Sequence, residues 1–327
     1  MSVSLKILVR TPNWIGDHVM AQPFYESLNR AYPDSEIHLL CSEALQSFKE
    51  DNFCKKKIVL IKNAKNVGRE FFTLAKKLKK EKYDIAISLT SSFSSSLLLS
   101  VARIPIRLGF SQSGSGLFLT DSLKWKGIDS GKHKTEIYLE LLDFMTGSHW
   151  KFKSYEETFV TAKKRIILAP GASISLRVWP YFQELLGKLS QEYPEYEIGV
   201  VGSKQESQWH SIIESLNLRN VKNWVEKTTL PELIELCRES SLVIANDSGV
   251  AHLSGTMAQA PTLVLLGPGC SNYIRPLGRR VFCEIPVGVP CHPCEKPYCH
   301  EKYGYQACLK SISLDRVLSK VFGLVPK

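Results

Sequence analysis

Short apolar runs alternate with amphipathic stretches along most of the chain. Lys6–Val9, Ile37–Cys41, Ile58–Ile61 and Ile85–Leu89 are nearly free of polar residues. Runs this short and this apolar read as strands buried in a parallel sheet. Between them the period changes. Val19–Tyr32 reads as a helix ended by Pro33 and Asp34, and Ala44–Glu50 as a short one. Phe71, Leu74, Ala75 and Leu78 fall on one helical face of Phe71–Lys80, with lysines on the other. The serine-rich loop Ser91–Ser96 opens a helix near Leu97–Ala102. Ser111–Gly116 is small and polar, a surface connector, and His133–Met145 is again helical. Strand alternating with helix predicts a parallel sheet with helices on both faces.

Thr146–Lys164 is polar and aromatic without a clear period, and reads as a linker. The alternation then restarts. Strands are expected at Arg165–Ala169, Ile198–Val201, Leu242–Ala245, Thr262–Leu266 and Val281–Ile285. Helices are expected at Pro180–Gln191, Ser207–Leu216, Leu230–Ser240, Val250–Gln259 and Leu314–Phe322. The chain is therefore two successive βα halves, each opening with a strand and a polar turn. A cleft between two such halves suits a two-substrate reaction.

The densest chemistry falls in Ser241–Thr256. The apolar run Leu242–Ala245 is broken by Asn246-Asp247-Ser248-Gly249 and followed by a helix that Pro261 stops. A polar loop at a strand's carboxyl end is where open α/β sheets bind ligands. Free N–H groups and the helix dipole there favour an anion such as a diphosphate. Asp247 and Ser248 serve equally well as ordinary helix caps. Gly171-Ala172-Ser173 and Gly202-Ser203 also follow strands, and their small residues admit a ligand close to the backbone. None of the loops is a dinucleotide fingerprint or a P-loop, which disfavours a nicotinamide enzyme and a P-loop NTPase. Arg177, just beyond the first loop, is within reach of a phosphate, although an isolated Arg is commonly a surface residue.

Length and charge narrow the field. A chain of 327 residues that is 44% hydrophobic builds two full cores. The formal net charge of +10 suits an anionic partner. No apolar run reaches membrane-spanning length, and Leu5–Val9 is too short for a secretory leader. A cytoplasmic protein that touches a membrane surface is expected. Nine cysteines, mostly scattered, argue against a secreted disulfide framework.

Two further features carry candidate chemistry. Asp17 follows the first strand at the start of a helix, so a general base and an N-cap are both open to it. His18 beside it reads as exposed or structural. Cys291, Cys294, Cys299 and Cys308 form a plausible tetrahedral zinc knuckle, or remain reduced thiols or a structural staple. They lie outside the three strand-end loops, which predicts a structural role.

In order along the chain, Pro12-Asn13-Trp14-Ile15-Gly16-Asp17, His133-Lys-Thr-Glu-Ile-Tyr-Leu139, Pro170-Gly171-Ala172-Ser173 with Arg177-Val178-Trp179-Pro180, Asn246-Asp247-Ser248-Gly249-Val250-Ala251-His252 and Cys291-His-Pro-Cys294 resemble motifs of one family. That family is the ADP-heptose:lipopolysaccharide heptosyltransferases, glycosyltransferase family 9, most similar in the heptosyltransferase II branch. The resemblance implies an α/β GT-B fold, two Rossmann-like domains facing across a cleft. It implies an acceptor-binding domain over 1–155, a nucleotide-sugar domain over 156–312, and a helix over 313–327 packing back on the first. It implies inverting transfer of heptose from ADP-heptose to the Kdo- or heptose-bearing lipid A core, at the inner face of the inner membrane. Asp17 is then the base. Ser173, Arg177, Glu206, Thr228, Asp247, Ser248, Gly249 and His252 are then the donor-binding set. Arg177 stands where the family often has lysine, and Thr228 near where some members place an apolar residue against adenine. No protein-bound metal is expected in catalysis and no nucleic acid as partner. The competing classes are a family 9 transferase with another nucleotide-sugar or acceptor, and a basic zinc-knuckle protein that binds nucleic acid.

Overall fold

Each half of the chain builds one six-stranded sheet, and every neighbouring pair of strands is parallel. In the computed structural model, residues 4–46, 48, 54–59, 67–152, 155, 162–296 and 298–326 are described. The chain divides into the units Met1–Lys153 and Ser154–Lys327. The division falls inside the expected linker, of which residues 153–154 and 156–161 lie outside the described residues. So do residues 60–61 of the third expected strand, and 47, 49 and 50 of the short helix expected after the second.

The first unit runs β1 (Lys6–Arg10), α1 (Ile15–Met20), α2 (Gln22–Ala31), β2 (Glu36–Cys41), β3 (Lys56–Val59), α3 (Arg69–Lys80), β4 (Ile85–Ser88), α4 (Phe93–Val101), β5 (Ile106–Ser111), β6 (Asp121–Lys124) and α5 (Lys134–Thr146). Its strand order is β3-β2-β1-β4-β5-β6. α3 buries Phe71, Leu74, Ala75 and Leu78 against Leu8 and Leu40 of the sheet, the face its spacing predicts. Each large side chain buried there stabilises by about 1.5–3 kcal/mol relative to exposure. The single helix expected over Val19–Tyr32 is two. Pro23 stands in the first turn of α2, where its missing N–H costs nothing, so the chain restarts after Ala21. α1 begins four residues earlier than the expected helix, which places Asp17 inside its first turn.

The second unit runs β7 (Lys163–Ala169), α6 (Phe182–Glu192), β8 (Glu197–Gly202), α7 (Trp209–Leu216), β9 (Val221–Val225), α8 (Leu230–Arg238), β10 (Ser240–Asn246), α9 (Gly249–His252), β11 (Thr262–Leu265), α10 (Ser271–Ile274), β12 (Val281–Glu284), α11 (Ala307–Lys310) and α12 (Leu314–Leu324). Its order, β12-β11-β10-β7-β8-β9, repeats that of the first unit. In both, the strand order reverses between the first and fourth strands, the doubly wound arrangement. After α9 the backbone widens into a π turn, Leu253–Met257, where one long helix is expected. The terminal helix, expected on the first half, sets its buried face in the second unit. Val317, Leu318 and Val321 join a core with Trp179, Leu185 and Leu189, and Tyr193 OH donates to Val325 O at 2.8 Å.

β5, β6 and β9 are strands beyond those expected. β6 is Asp-Ser-Leu-Lys and mostly exposed; both β6 and β9 are edge strands. An edge strand needs no apolar run and tolerates charge, so its pattern is that of a loop. Among the described residues, no helix is long and apolar enough to cross a membrane.

Candidate active site

The polar loops collect at the carboxyl ends of the strands, beside each switch point. In the second unit that point lies between β7 and β10. Asn246, at the end of β10 and fully buried, spans it. Its Oδ1 accepts from Trp179 N–H at 2.9 Å, and its Nδ2 donates to Pro170 O at 2.7 Å. Trp179 is anchored further by its indole N–H, which donates to Ile312 O at 2.8 Å. The loop 170–180 is thereby fixed over the sheet end. It carries Arg177 to Asp247, Nη1 to Oδ2, at 2.9 Å. Asp247 is almost fully buried, and the guanidinium is about one-fifth exposed. A charge pair therefore spans the switch point. Gly269 sits close behind: a Cβ there would lie 2.9 Å from Asp247 Oδ2.

Ser173 and Glu206 meet elsewhere in the same unit. They line a cavity of about 490 Å³, with Gly171, Gln183 and Trp209 among its walls. Glu206 Oε2 accepts from Ser203 N–H at 2.7 Å and Ser203 Oγ–H at 2.8 Å, which fixes the carboxylate over the end of β8. Gly171 makes room for it, since a Cβ there would stand 2.5 Å from the Glu206 carboxyl carbon. Thr228 and His252 are not among the walls. Thr228 is half-buried before Thr229, the residue that caps α8, and His252 is buried at the end of α9.

Ser248 precedes Gly249, the first residue of α9, in extended conformation. Its side chain makes no cap bond, and its Oγ is buried without a hydrogen-bond partner among the described residues. The capping role open to this serine is thus not taken, and its hydroxyl is available.

In the first unit, Asp17 follows β1. The cap position of α1 is Trp14, which offers no side-chain bond, so the capping reading of Asp17 is also not taken. Asp17 Oδ1 instead accepts from Lys134 Nζ at 2.8 Å. Lys134 is in the first turn of α5, which His133 and Glu136 close with a capping box. His18 faces inward, fully buried against Tyr25 and Phe48. Arg177 Nη2 also lies 3.8 Å from Glu295 Oε2. Neither Lys134 nor Glu295 is among the candidate site residues read from the sequence. The only signal for Lys134 is its place in the motif His133–Leu139.

The family profile described as Glycosyltransferase family 9 (heptosyltransferase) matches residues 71–303. The chain belongs to glycosyltransferase family 9. It is 27% identical over 339 residues to lipooligosaccharide heptosyltransferase 2 of Campylobacter jejuni, covering 97% of this chain and 98% of that one. The structure of E. coli ADP-heptose LPS heptosyltransferase II shares its fold, with TM-score 0.77, 21% identity and 98% of each chain covered. So does E. coli heptosyltransferase WaaC with ADP, with TM-score 0.75, 15% identity, and 98% of this chain and 100% of that one covered.

In this family 9 chain, the cysteine-rich segment comes nearer the loops than its sequence position implies. His292 Nδ1 lies 2.9 Å from Gly267 O, and the N–H groups of Cys294 and Glu295 both donate to Pro268 O. The segment therefore rests on the turn after β11. Cys291, Cys294, Cys299 and Cys308 line one cavity of about 30 Å³ together with His300. Among the described residues, no three His, Cys, Asp or Glu side chains are grouped as a metal site.

Proposed function

We propose that this family 9 glycosyltransferase moves heptose from ADP-heptose to the Kdo- or heptose-bearing inner core of lipid A, with inversion. The observation that carries the reading is the Arg177–Asp247 pair across the switch point, a held cation where an anionic leaving group gathers charge. The acceptor oxygen attacks the donor's anomeric carbon. The bond from that carbon to the diphosphate oxygen breaks, ADP departs, and Asp17 takes the acceptor's proton. Arg177 and the Ser248 hydroxyl face the growing charge on the diphosphate, and Ser173 and Glu206 hold the nucleotide end of the donor. Every step draws on side chains of this chain. Likeness to heptosyltransferases 2 over nearly the whole length supports the choice of sugar. The charge of +10 suits an acceptor rich in phosphates and carboxylates, met peripherally at the anionic inner face of the inner membrane.

Mass spectrometry of a core acceptor incubated with ADP-heptose and the protein tests this directly. The acceptor should gain the mass of one heptose as ADP appears. An unchanged acceptor alongside transfer from a UDP- or GDP-sugar would overturn the choice of donor. Sedimentation with anionic vesicles, weakening as salt rises, checks the membrane part.

A further inference from the structure

We propose that Glu295 is a positioning residue for the donor site, carried to Arg177 by the cysteine-rich segment. The inference rests on the assignment of Arg177 to the leaving diphosphate. Glu295 Oε1 accepts from Cys270 N–H at 2.6 Å, at the entrance to α10. Its Oε2 lies 3.8 Å from Arg177 Nη2, while Asp247 Oδ2 holds Nη1 at 2.9 Å. Two carboxylates from two different loops thus face the two terminal nitrogens of one guanidinium. The Glu295 side chain is only about one-sixth exposed.

The geometry has a consequence for orientation. A guanidinium is a rigid plane, and its value to a diphosphate lies in the direction of its N–H groups. One carboxylate at one end leaves the plane free to swing about that contact. A second anion at the other end sets the plane. Arg177 Nε is buried and has no hydrogen-bond partner among the described residues. Glu295 is itself held at both ends: its own N–H donates to Pro268 O at 3.0 Å, and its carboxylate closes on Cys270. The anchor therefore rests on the turn that packs Gly269 behind Asp247. The segment containing Cys291 and Cys294 acts as the arm that delivers it.

Calorimetric titration of the full chain with ADP, with steady-state kinetics on ADP-heptose, tests the role. R177A should weaken ADP, which checks the underlying assignment. E295A should weaken ADP and raise KM for ADP-heptose by about 5–10-fold, with kcat within about twofold of wild type. E295Q keeps an acceptor for Cys270 N–H but loses the charge facing Arg177, and should show about a threefold effect. In the R177A background, E295A should add less than about twofold, because its action runs through Arg177. ADP binding that is unchanged or tighter in E295A, or fully additive effects in the double variant, would overturn the proposal while leaving Arg177 in place. ADP binding unchanged in R177A would remove the assignment and this role together.

Discussion

Lys134 Nζ lies 2.8 Å from Asp17 Oδ1 and joins the first turn of α5 to the first turn of α1. The carboxylate is thus held by a cation rather than by the amide groups of its own helix. One oxygen is engaged, and its geometry is set before an acceptor arrives. Asp17→Asn keeps the size and an acceptor for Lys134 but takes no proton. Turnover should fall by about 10²–10⁴-fold, with Tm and ADP affinity close to wild type. Asp17→Ala should lose similar activity and about 1 kcal/mol of stability from the partly buried ion pair. Wild-type turnover in the Asn variant would return Asp17 to a structural ion-pair role.

What the sequence discloses of this site divides along physical lines. Strands buried on both faces, such as β1 and β10, announce themselves as apolar runs, and the loops after them follow at once. β6 and β9 do not, since an edge strand's pattern is set by solvent on one side. Lys134, the partner of Asp17, and Glu295, the second carboxylate facing Arg177, are not legible either. Lys134 is 117 residues from Asp17, and nothing in a local pattern marks which surface lysine will fold back onto a carboxylate. Glu295 is hidden for the same reason, inside a segment whose cysteines draw the eye to metal chemistry. The break at Ala21 was legible in principle, because Pro23 so close to the helix start is a first-turn residue. The π turn after α9 had no such signal.

Asn246 stitches β10 to the loop that carries Arg177, with two hydrogen bonds inside the second unit's core. Asn246→Ala leaves the Trp179 N–H and the Pro170 carbonyl unpaired away from water. The cost should be about 2–4 kcal/mol, read as a lower urea midpoint for the transition of the second unit. Asn246→Asp keeps the acceptor and should preserve the Trp179 bond while losing the one to Pro170. A midpoint unchanged in the Ala variant would show that water enters and replaces both bonds.

Glu81 sets an acid-side stability limit in the first unit. Hydrogen bonds from Lys56 and Lys6 draw its carboxyl from an ordinary 4.5 down to about 2. The folded pKa lies below the unfolded one, so the contribution is complete above about pH 4.5 and fades as pH falls towards about 2. Glu81→Gln should therefore melt below wild type at pH 7, and the gap should close through that window. A gap that persists unchanged at pH 2 would mean that the substitution acts through packing.

Arg177 offers the sharpest separation of charge from shape. Its guanidinium meets Asp247 with one terminal nitrogen and faces Glu295 with the other. Arg177→Ala removes both the charge and the fork, and should weaken ADP by about 1.5–3 kcal/mol, the worth of a hydrogen bond to a charged group. Arg177→Lys keeps the charge as a single ammonium. An ammonium placed near Asp247 is too compact to face Glu295 and a diphosphate in one plane, so direction is lost while attraction survives. ADP affinity of the Lys variant should fall between wild type and Ala, and its salt dependence should match wild type, since both carry one positive charge. The Ala variant should show the shallower dependence. Titration at two ionic strengths decides the matter: Lys and Ala variants that both bind ADP as tightly as wild type would mean that Arg177 contributes nothing, and that the diphosphate is held elsewhere.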